Sequence, residues 1–425
     1  MRLHVSPLVI AAALLASACR TGEPAPVAAP EAGRLLSDIA WLADDRLEGR
    51  GTGTAGNDSA AAWLARRHAS LGLRPLTTAG YVQPFVARSA QMMRSGLPDG
   101  AATQNVVALV PGRDPTLRNE YVVIGAHFDH LGRSAMSAMD PEARDAIRNG
   151  ADDNASGTAA VLELARLFAS RPARRSIVVA HFSGEELGLL GSQWFVDHPV
   201  VPLDRVVAMV NFDMVGRLRN DKLIVYGVAT ARELPAIVDS ANVAPALTVS
   251  AVGDGFGPSD HSSFYARGIP VLHFFTDLHD DYHRATDDVD RINAPGEARV
   301  VAVAERVVRA IADRPERLSP VRAAAPAPVA GGREGSDVYL GSIPDMSAGD
   351  ATGLRLSGVR AGSPADAAGL RAGDVIVELA GRTVKDLYGY SDALYAHKPG
   401  DRVDIKFVRN GERQTTSVTL GKRAQ

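Results

Sequence analysis

The 425-residue chain is 46% hydrophobic and 22% charged, with a formal net charge of −3, the balance of a globular protein long enough for one large domain and one small one. A charge so near neutrality, with no Lys/Arg run, offers no basic field for a phosphate backbone and excludes nucleic acid as a partner. Cys19 is the only cysteine, which excludes an internal disulfide and leaves stability to core packing and bound metal.

Arg2 followed by the almost wholly Leu/Ile/Val/Ala run 8–18 is too short to span a bilayer but suits the apolar region of an export signal. The run ends Leu15-Ala16-Ser17-Ala18-Cys19, which resembles the lipobox of bacterial lipoproteins, with Ala16 standing where Leu is commoner. The expectation is export over segment 1–19. The product is then periplasmic or held at the outer membrane by a lipid on Cys19, the alternative being a secreted protein cut near Ala18. Residues 20–33 are a Pro/Ala tether. A large domain is expected over 34–314, with a first helix over 60–71 that stops at Gly72.

From Asn105 onward, β-branched runs alternate with helical patterns. Strands are predicted at 106–110, 121–126, 177–182, 206–212, 223–226 and 269–275, and helices at 155–169, 187–197 and 298–312. Such alternation predicts an α/β fold with a doubly wound, mostly parallel sheet flanked by helices. Strands apolar along their whole length fit coverage of both sheet faces. The Pro/Ala/Gly stretch 315–335 reads as a linker, and 336–425 as a small β-rich domain.

Several chemistry-bearing residues follow the predicted strands. His127 and Asp129 form a His-x-Asp pair after 121–126, a spacing that lets Asp129 orient the ring of a metal-ligating His127. Alone, such a pair is most often a surface feature. Gly150-Ala-Asp-Asp-Asn-Ala-Ser-Gly157 leads into the next helix with more acids than helix capping needs. Glu185 and Glu186 follow 177–182, Asp213 follows 206–212, and His283 follows 269–275 within Tyr282-His-Arg-Ala-Thr-Asp. Singly each is ambiguous; together they converge outside the strand C-termini, where open α/β sheets bind ligands. Acids crowded there repel one another unless a cation neutralises them. Two His and three carboxylates are a nitrogen/oxygen set suited to zinc or a similar divalent ion, and five ligands fit a pair of metals sharing a carboxylate.

These motifs resemble the M28 family of metallopeptidases, which includes bacterial dizinc aminopeptidases and relatives of glutamate carboxypeptidase. The resemblance runs over about 35–312 and takes in Leu47-Glu-Gly-Arg-Gly-Thr-Gly-Thr54 and Ser259-Asp-His-Ser-Ser-Phe264. It implies a zinc exopeptidase fold and two Zn2+ ions. Asp153 would bridge them, with a cis peptide to Asn154; His127 and Asp213 would hold one ion, Glu186 and His283 the other. Glu185 would be the general base acting on a water held by the pair, and Tyr282 a donor to the oxyanion. The implied activity is removal of N-terminal residues from peptides. The alternatives are a glutaminyl cyclase-like zinc enzyme and a non-catalytic peptide-binding protein on the same fold; the His-x-Asp ligand and the second-metal carboxylate argue against the first, and intact Glu185 with five intact ligands against the second. His130, Asp152 and Asp287 read as loop polars or supports behind the ligands. Asp260 and His261 read as pocket wall or structural residues, and His181 and His273 as packing residues.

The C-terminal segment resembles a PDZ domain of the bacterial protease type, through Tyr339-Leu-Gly-Ser-Ile-Pro-Asp345, Gly362-Ser-Pro-Ala-Asp-Ala-Ala-Gly-Leu370 and Arg371-Ala-Gly-Asp-Val-Ile376. The resemblance implies that Leu340, Gly341, Ser342 and Ile343 present backbone N–H groups to a C-terminal peptide ligand, next to a strand over 354–359. The alternative is a module that only stiffens or docks on the large domain.

Overall fold

The computed structural model describes Met1 and residues 29–88, 100–134, 138, 140, 143, 145–253, 255–257, 259–321, 338–344, 353–384, 390, 393–394 and 397–422. The expected export segment with Cys19, most of the tether and the linker residues 322–335 lie outside the described residues. Among the described residues, no helix is long and apolar enough to cross a membrane.

The large domain opens with helices α1 (Ala32–Leu42) and α2 (Ala55–Ser70). Thr54 caps α2 by accepting from the Asn57 N–H at 3.3 Å, so the helix starts five residues before the predicted 60. Strands β1 (Arg74–Pro75), β2 (Val82–Ala87), β3 (Ala101–Val110) and β4 (Tyr121–His127) follow. Next come α3 (Gly157–Ser170), β5 (Ser176–Phe182), α4 (Leu190–Asp197), β6 (Val206–Phe212), β7 (Lys222–Tyr226) and α5 (Leu234–Ala241). The domain closes with β8 (Thr248–Val252), α6 (His261–Tyr265), β9 (Val271–Phe275) and α7 (Ala294–Asp313).

These strands form one sheet in the order β1-β3-β5-β4-β6-β9-β7-β8, with β2 also paired to β3. The four central strands β5, β4, β6 and β9 run parallel. The flanks turn over: β3 pairs antiparallel with β5, and β7 with β9. The sheet is therefore mixed around a parallel centre, and that centre is the part that matters for ligand binding.

Period-2 alternation sorts the core onto both faces. Val122, Ile124 and Ala126 of β4, with Ile177 and Val179 of β5, pack beneath α1, α2, α3, α5 and α7. Val123, Val178, Ala180, Phe182 and Met209 face the other way, toward α4 and α6. Every residue of β5 and β6 is buried, which is why these strands read as continuous apolar runs.

Other predicted boundaries move as well, among them the strand expected from 106, which begins at Ala101, and the helix expected from 298, which begins at Ala294. The helix expected from 187 begins at Leu190, because Gly188 and Leu189 donate back to the Glu185 carbonyl at 2.9 and 3.0 Å in a closed turn. The helix expected from 155 begins at Gly157, after one wide turn over Ala151–Ser156. The strand expected from 269 begins at Val271.

The C-terminal unit has its own apolar cluster, including Val338, Leu340, Leu356, Ile376, Ile405 and Phe407. Strands β11 (Ser342–Pro344), β12 (Leu354–Val359), β13 (Val375–Leu379), β15 (Arg402–Arg409) and β16 (Glu412–Thr419) form an antiparallel sheet with β14 (Arg382–Thr383) at β13, while β10 (Val338–Tyr339) pairs with β17 (Gly421–Lys422). Buried Asp374 binds the Arg409 guanidinium at 2.6 and 2.7 Å and caps the Arg371 N–H at 2.8 Å, fixing the turn into β13.

His68 of α2 and His181 of β5 sit buried in the large core with ring centroids 5.2 Å apart. None of their four ring nitrogens has a hydrogen-bond partner among the described residues. Burial depresses both, His68 to about 3. The folded pKa lies below the unfolded value near 6.5, so the stability tied to the uncharged rings is complete above pH ~6.5 and is lost as pH falls toward the folded pKa. Replacing His68 with Leu should reduce the slope of unfolding free energy against pH, between pH 6 and 4.5, by up to ~1.4 kcal/mol per pH unit. Urea titrations of wild type and His68→Leu across that range check this; equal slopes would refute it.

Candidate metal centre

The four parallel strands that neighbour one another in the sheet deliver the polar residues to one edge. His127 ends β4, Glu185 and Glu186 lie in the turn after β5, Asp213 follows β6, and His283 lies in the loop after β9. Asp153 enters from the wide turn before α3, through a cis peptide to Asn154. With adjacent strands ~4.8 Å apart, side chains leaving neighbouring strand ends can meet.

They meet in two sets that share Asp153. His127 Nε2 lies 3.4 Å from Asp153 Oδ1 and 3.5 Å from Asp213 Oδ1. His283 Nε2 lies 3.1 Å from Asp153 Oδ2 and 3.3 Å from Glu186 Oε2. Metal–ligand bonds of ~2.0–2.1 Å in a tetrahedron set ligand atoms ~3.3 Å apart, so both sets have the spacing of a zinc coordination shell. Asp153 gives one oxygen to each set, as a bridging carboxylate must. The donors are imidazole and carboxylate only; Glu185 also lies close to His127 and Asp213, and His130 close to Asp153 and Glu186, near enough in each case to share an ion. Glu185 Oε2 is 3.9 Å from His127 Nε2.

The electrostatics reflect the crowding. Burial alone would lower His127, but Glu185 and Asp213 pull it well above the ordinary imidazole range; Glu186 and Asp153 do the same to His283. Burial would raise Asp153, but hydrogen bonding to His127 and His283 holds it well below the usual range. The carboxylates thus demand positive charge, which protons supply here and divalent ions supply better. Burial, followed by Glu186, Asp213 and Asp260, pushes Glu185 well above the usual carboxyl range against the pull of His127.

Supports behind the ligands are specific. Ser259 Oγ donates to Asp213 Oδ2 at 2.8 Å and accepts from Asn211 at 2.8 Å. Asp287 Oδ2 accepts from the Asp152 and Asp153 N–H groups, each at 3.0 Å, while Asp152 accepts from the Gly216 N–H at 2.7 Å and meets His279 Nε2 at 3.1 Å. His130 Nδ1 lies 2.8 Å from Glu186 Oε1. Arg50 is wholly buried, and its guanidinium donates to the carbonyls of Phe128, Leu42, Asn149 and Gly150 at 2.5–3.0 Å. It thereby ties the His127 loop to the Asp153 loop.

Asp129 takes a different part from the expected one. The His127 Nδ1 proton goes to the Asp129 main-chain carbonyl at 3.1 Å, while the Asp129 carboxylate is 3.7 Å away, too far for a hydrogen bond. The strand ends at His127, and beyond it the alternation that would carry the carboxylate to the ring no longer holds. Instead that carboxylate accepts from Thr52 Oγ1 at 2.9 Å and from the Glu185 N–H at 3.2 Å. It orients the base more directly than the ligand.

Tyr282 stacks on His283 with ring centroids 3.8 Å apart. Burial, then the carboxylates of Asp153, Glu186, Glu185 and Asp213, push its phenol well above the usual range, so its hydroxyl keeps its proton. Asp260 and His261 are buried, Asp260 pushed up to about 7 by burial, and His261 stacks on His273 at 4.5 Å. In the C-terminal unit, Leu340 points into the core and its carbonyl accepts from the Ala365 N–H at 2.9 Å. Gly341 takes φ +84°, and a Cβ there would lie 2.2 Å from Ser363 Cβ, so glycine is required. Ser342 and Ile343 already belong to β11, and the Ser342 hydroxyl meets that of Tyr390.

Arg50, Thr52, Ser259 and the part played by His130 are not evident from local pattern. Arg50 and Thr52 sit in the Gly-rich stretch 47–54, whose unusual glycine density around an Arg is the signal that marks it.

The fold and the two ligand sets are those of a protein able to hold a pair of divalent ions. Residues 105–308 match the sequence model of peptidase family M28, and residues 336–420 match that of the PDZ domain; the chain joins a segment similar to the one to a segment similar to the other. Leucine aminopeptidase 1 of Arthroderma otae is 30% identical over 214 residues, covering 44% of this chain and 52% of that protein. Aminopeptidase YwaD of Bacillus subtilis is 31% identical over 201 residues, covering 45% and 41%. The chain thus spans about half or less of these relatives. Among solved structures, a zinc aminopeptidase from Bacillus subtilis superposes with a TM-score of 0.55 at 18% identity, covering 67% of this chain and 96% of that one. A glutaminyl cyclase from Porphyromonas gingivalis superposes with a TM-score of 0.54 at 18% identity, covering 65% and 97%. At that identity both show the shared fold.

If Asp153 serves both sites, its loss should be worse than that of a ligand to one. Elemental analysis after dialysis should find two zinc ions per chain in wild type, about one in Asp213→Ala and less than one in Asp153→Ala. Equal losses in the two variants would contradict a bridge.

Proposed function

We propose that the chain is an exported metallo-aminopeptidase that hydrolyses N-terminal residues from peptides, with Glu185 as general base. The observation that carries this reading is the position of Glu185. It lies beside the set of His127 and Asp213, held through its N–H by Asp129, with its Oε2 3.9 Å from His127 Nε2. When bound, the metal pair lowers the pKa of water and polarises the scissile carbonyl.

The remaining steps fall to side chains. Glu185 takes the proton of the attacking water and returns it to the departing amine, which its raised proton affinity favours. Tyr282, kept protonated and fixed by its stack on His283, donates to the developing oxyanion. Thr52 holds Asp129, and Asp129 holds the turn that carries Glu185. The names of the relatives support aminopeptidase over carboxypeptidase activity. Two complete ligand sets speak against a cyclase working through one zinc.

The PDZ domain is assigned a C-terminal peptide ligand, bound along the 340–343 segment. Export rests on the run 8–18 and on Cys19; on this reading Cys19→Ser should lose incorporated fatty acid and move from the membrane to the soluble fraction.

Glu185→Gln should retain both metals by elemental analysis and lose a factor of at least ~10²–10⁴ in kcat. Wild type should cleave free-amino-terminus aminoacyl substrates in a chelator-sensitive way and leave amino-blocked ones intact. Normal turnover by metal-loaded Glu185→Gln would remove the base assignment; cleavage of blocked substrates at equal rates would remove the aminopeptidase assignment.

A further inference from the structure

The two oxygens of Glu186 have different neighbours. Oε2 lies 3.3 Å from His283 Nε2, a coordination-shell spacing. Oε1 lies 2.8 Å from His130 Nδ1, a hydrogen-bond length and shorter than the ~3.3 Å between two ligands of one tetrahedral ion. His130 Nδ1 is also 3.9 Å from Asp153 Oδ2, longer than that edge. His130, Asp153 and Glu186 lie close enough together to surround an ion, but the unequal spacings of 2.8 and 3.9 Å suit the ring better as a donor to Glu186 than as a third ligand.

The ring is held in that place. His130 is buried, and its ring lies edge-on to His283 with centroids 5.7 Å apart. Gly150 closes over it at φ +56°; a Cβ there would lie 2.4 Å from His130 Cγ and 2.0 Å from the Asp153 carbonyl oxygen. The Gly150 carbonyl is in turn bound by Arg50 at 3.0 Å. His130 Nε2 has no hydrogen-bond partner among the described residues, so the proton belongs on Nδ1, where an acceptor waits.

We propose that His130 is a positioning residue for the second metal site: its Nδ1–H engages Oε1 of Glu186, so that an ion bound there would meet Glu186 through Oε2. The proposal rests on the metal-pair reading above. Hydrogen bonds of this kind typically change metal affinity 10–100-fold when removed.

The test uses the full-length protein loaded with cobalt, followed by visible absorption and by chelator competition for each ion. His130→Ala should free Oε1 to join the ion, raising its coordination number. The visible bands of the second ion should weaken and its affinity should change by about 10-fold or more, with the first ion unaltered. His130→Asn, whose amide N–H sits where Nδ1–H was, should restore the wild-type spectrum; His130→Gln, which reaches to the Nε2 position, should not. A spectrum and affinity unchanged in His130→Ala would overturn the proposal. Failure of His130→Asn to restore the spectrum while the protein stays folded would also overturn it, pointing to His130 as a ligand. Uptake of fewer than two cobalt ions by wild type would instead sink the metal-pair reading, and this proposal with it.

Discussion

Everything at the working edge of the sheet follows from one electrostatic constraint: Asp153, Glu185, Glu186 and Asp213 are gathered within 3.3–3.9 Å of the His127 or His283 rings in a mostly buried place. Carboxylates there repel, and burial makes each charge more costly. The fold answers with positive charge from several directions. His127 and His283 stand between the acids, and the Arg50 guanidinium lies buried behind them. Burial lowers Arg50 to about 10, against the opposing pull of Asp129, Asp153, Asp287 and Glu186; it stays a cation. Its donors go to main-chain carbonyls, so its charge offsets the acids while its geometry joins their loops.

Sheet order is what makes the crowding possible. The central strands β5, β4, β6 and β9 are neighbours and parallel, so their C-termini share one edge, and the macroscopic position of the site is set before any ligand is chosen. The antiparallel flanks contribute no ligand. They extend the sheet and, through β3, anchor Asn105, whose side chain holds the Gly191 carbonyl of α4 at 2.8 Å and accepts from the Ser183 N–H at 3.2 Å. That brings α4 and the turn carrying Glu185 and Glu186 under the control of a strand on the other side of β5.

The parallel centre was legible in the sequence because its strands are apolar on both faces, and the ligands were legible because each follows such a run. The flanking antiparallel pairings were not: strand direction is a matter of connection and register, and β2 mixes polar with apolar residues. Helix starts near the site were displaced for a related reason. Local propensity extends a helix back to 187 or 155, but the backbone there is diverted to place Glu186 and Asp153, and Asn154 caps α3 from within the turn, accepting from the Gly157 N–H at 2.8 Å. Asp129 illustrates the limit of periodicity. Extended backbone would bring its carboxylate to His127, yet the chain leaves the strand at that residue and the main-chain carbonyl takes the role. Partners distant in sequence, such as Arg50 with Gly150 or Ser259 with Asp213, leave no local pattern at all.

The same contacts account for backbone conformations that would otherwise be unfavourable. Met214, next to Asp213, takes φ +51°, and His283 takes φ +55°, a region that costs a residue with a side chain ~1–3 kcal/mol. At Met214 the surroundings fix the turn from both sides: its N–H lies 3.3 Å from Asn154 Oδ1, and its carbonyl accepts from the N–H and hydroxyl of Thr276 at 3.0 and 2.7 Å. Asn154 thus links α3, the Asp153 turn and the Asp213 turn in one residue, while Thr276 ties the end of β9 to the same point. A ligand set assembled from four strand ends needs such cross-links more than it needs deep packing, because the error in each loop adds to the separation of the ligands. The polar supports hold the carboxylates apart at coordination spacing, and the large apolar core below keeps the strand ends from shifting beneath them.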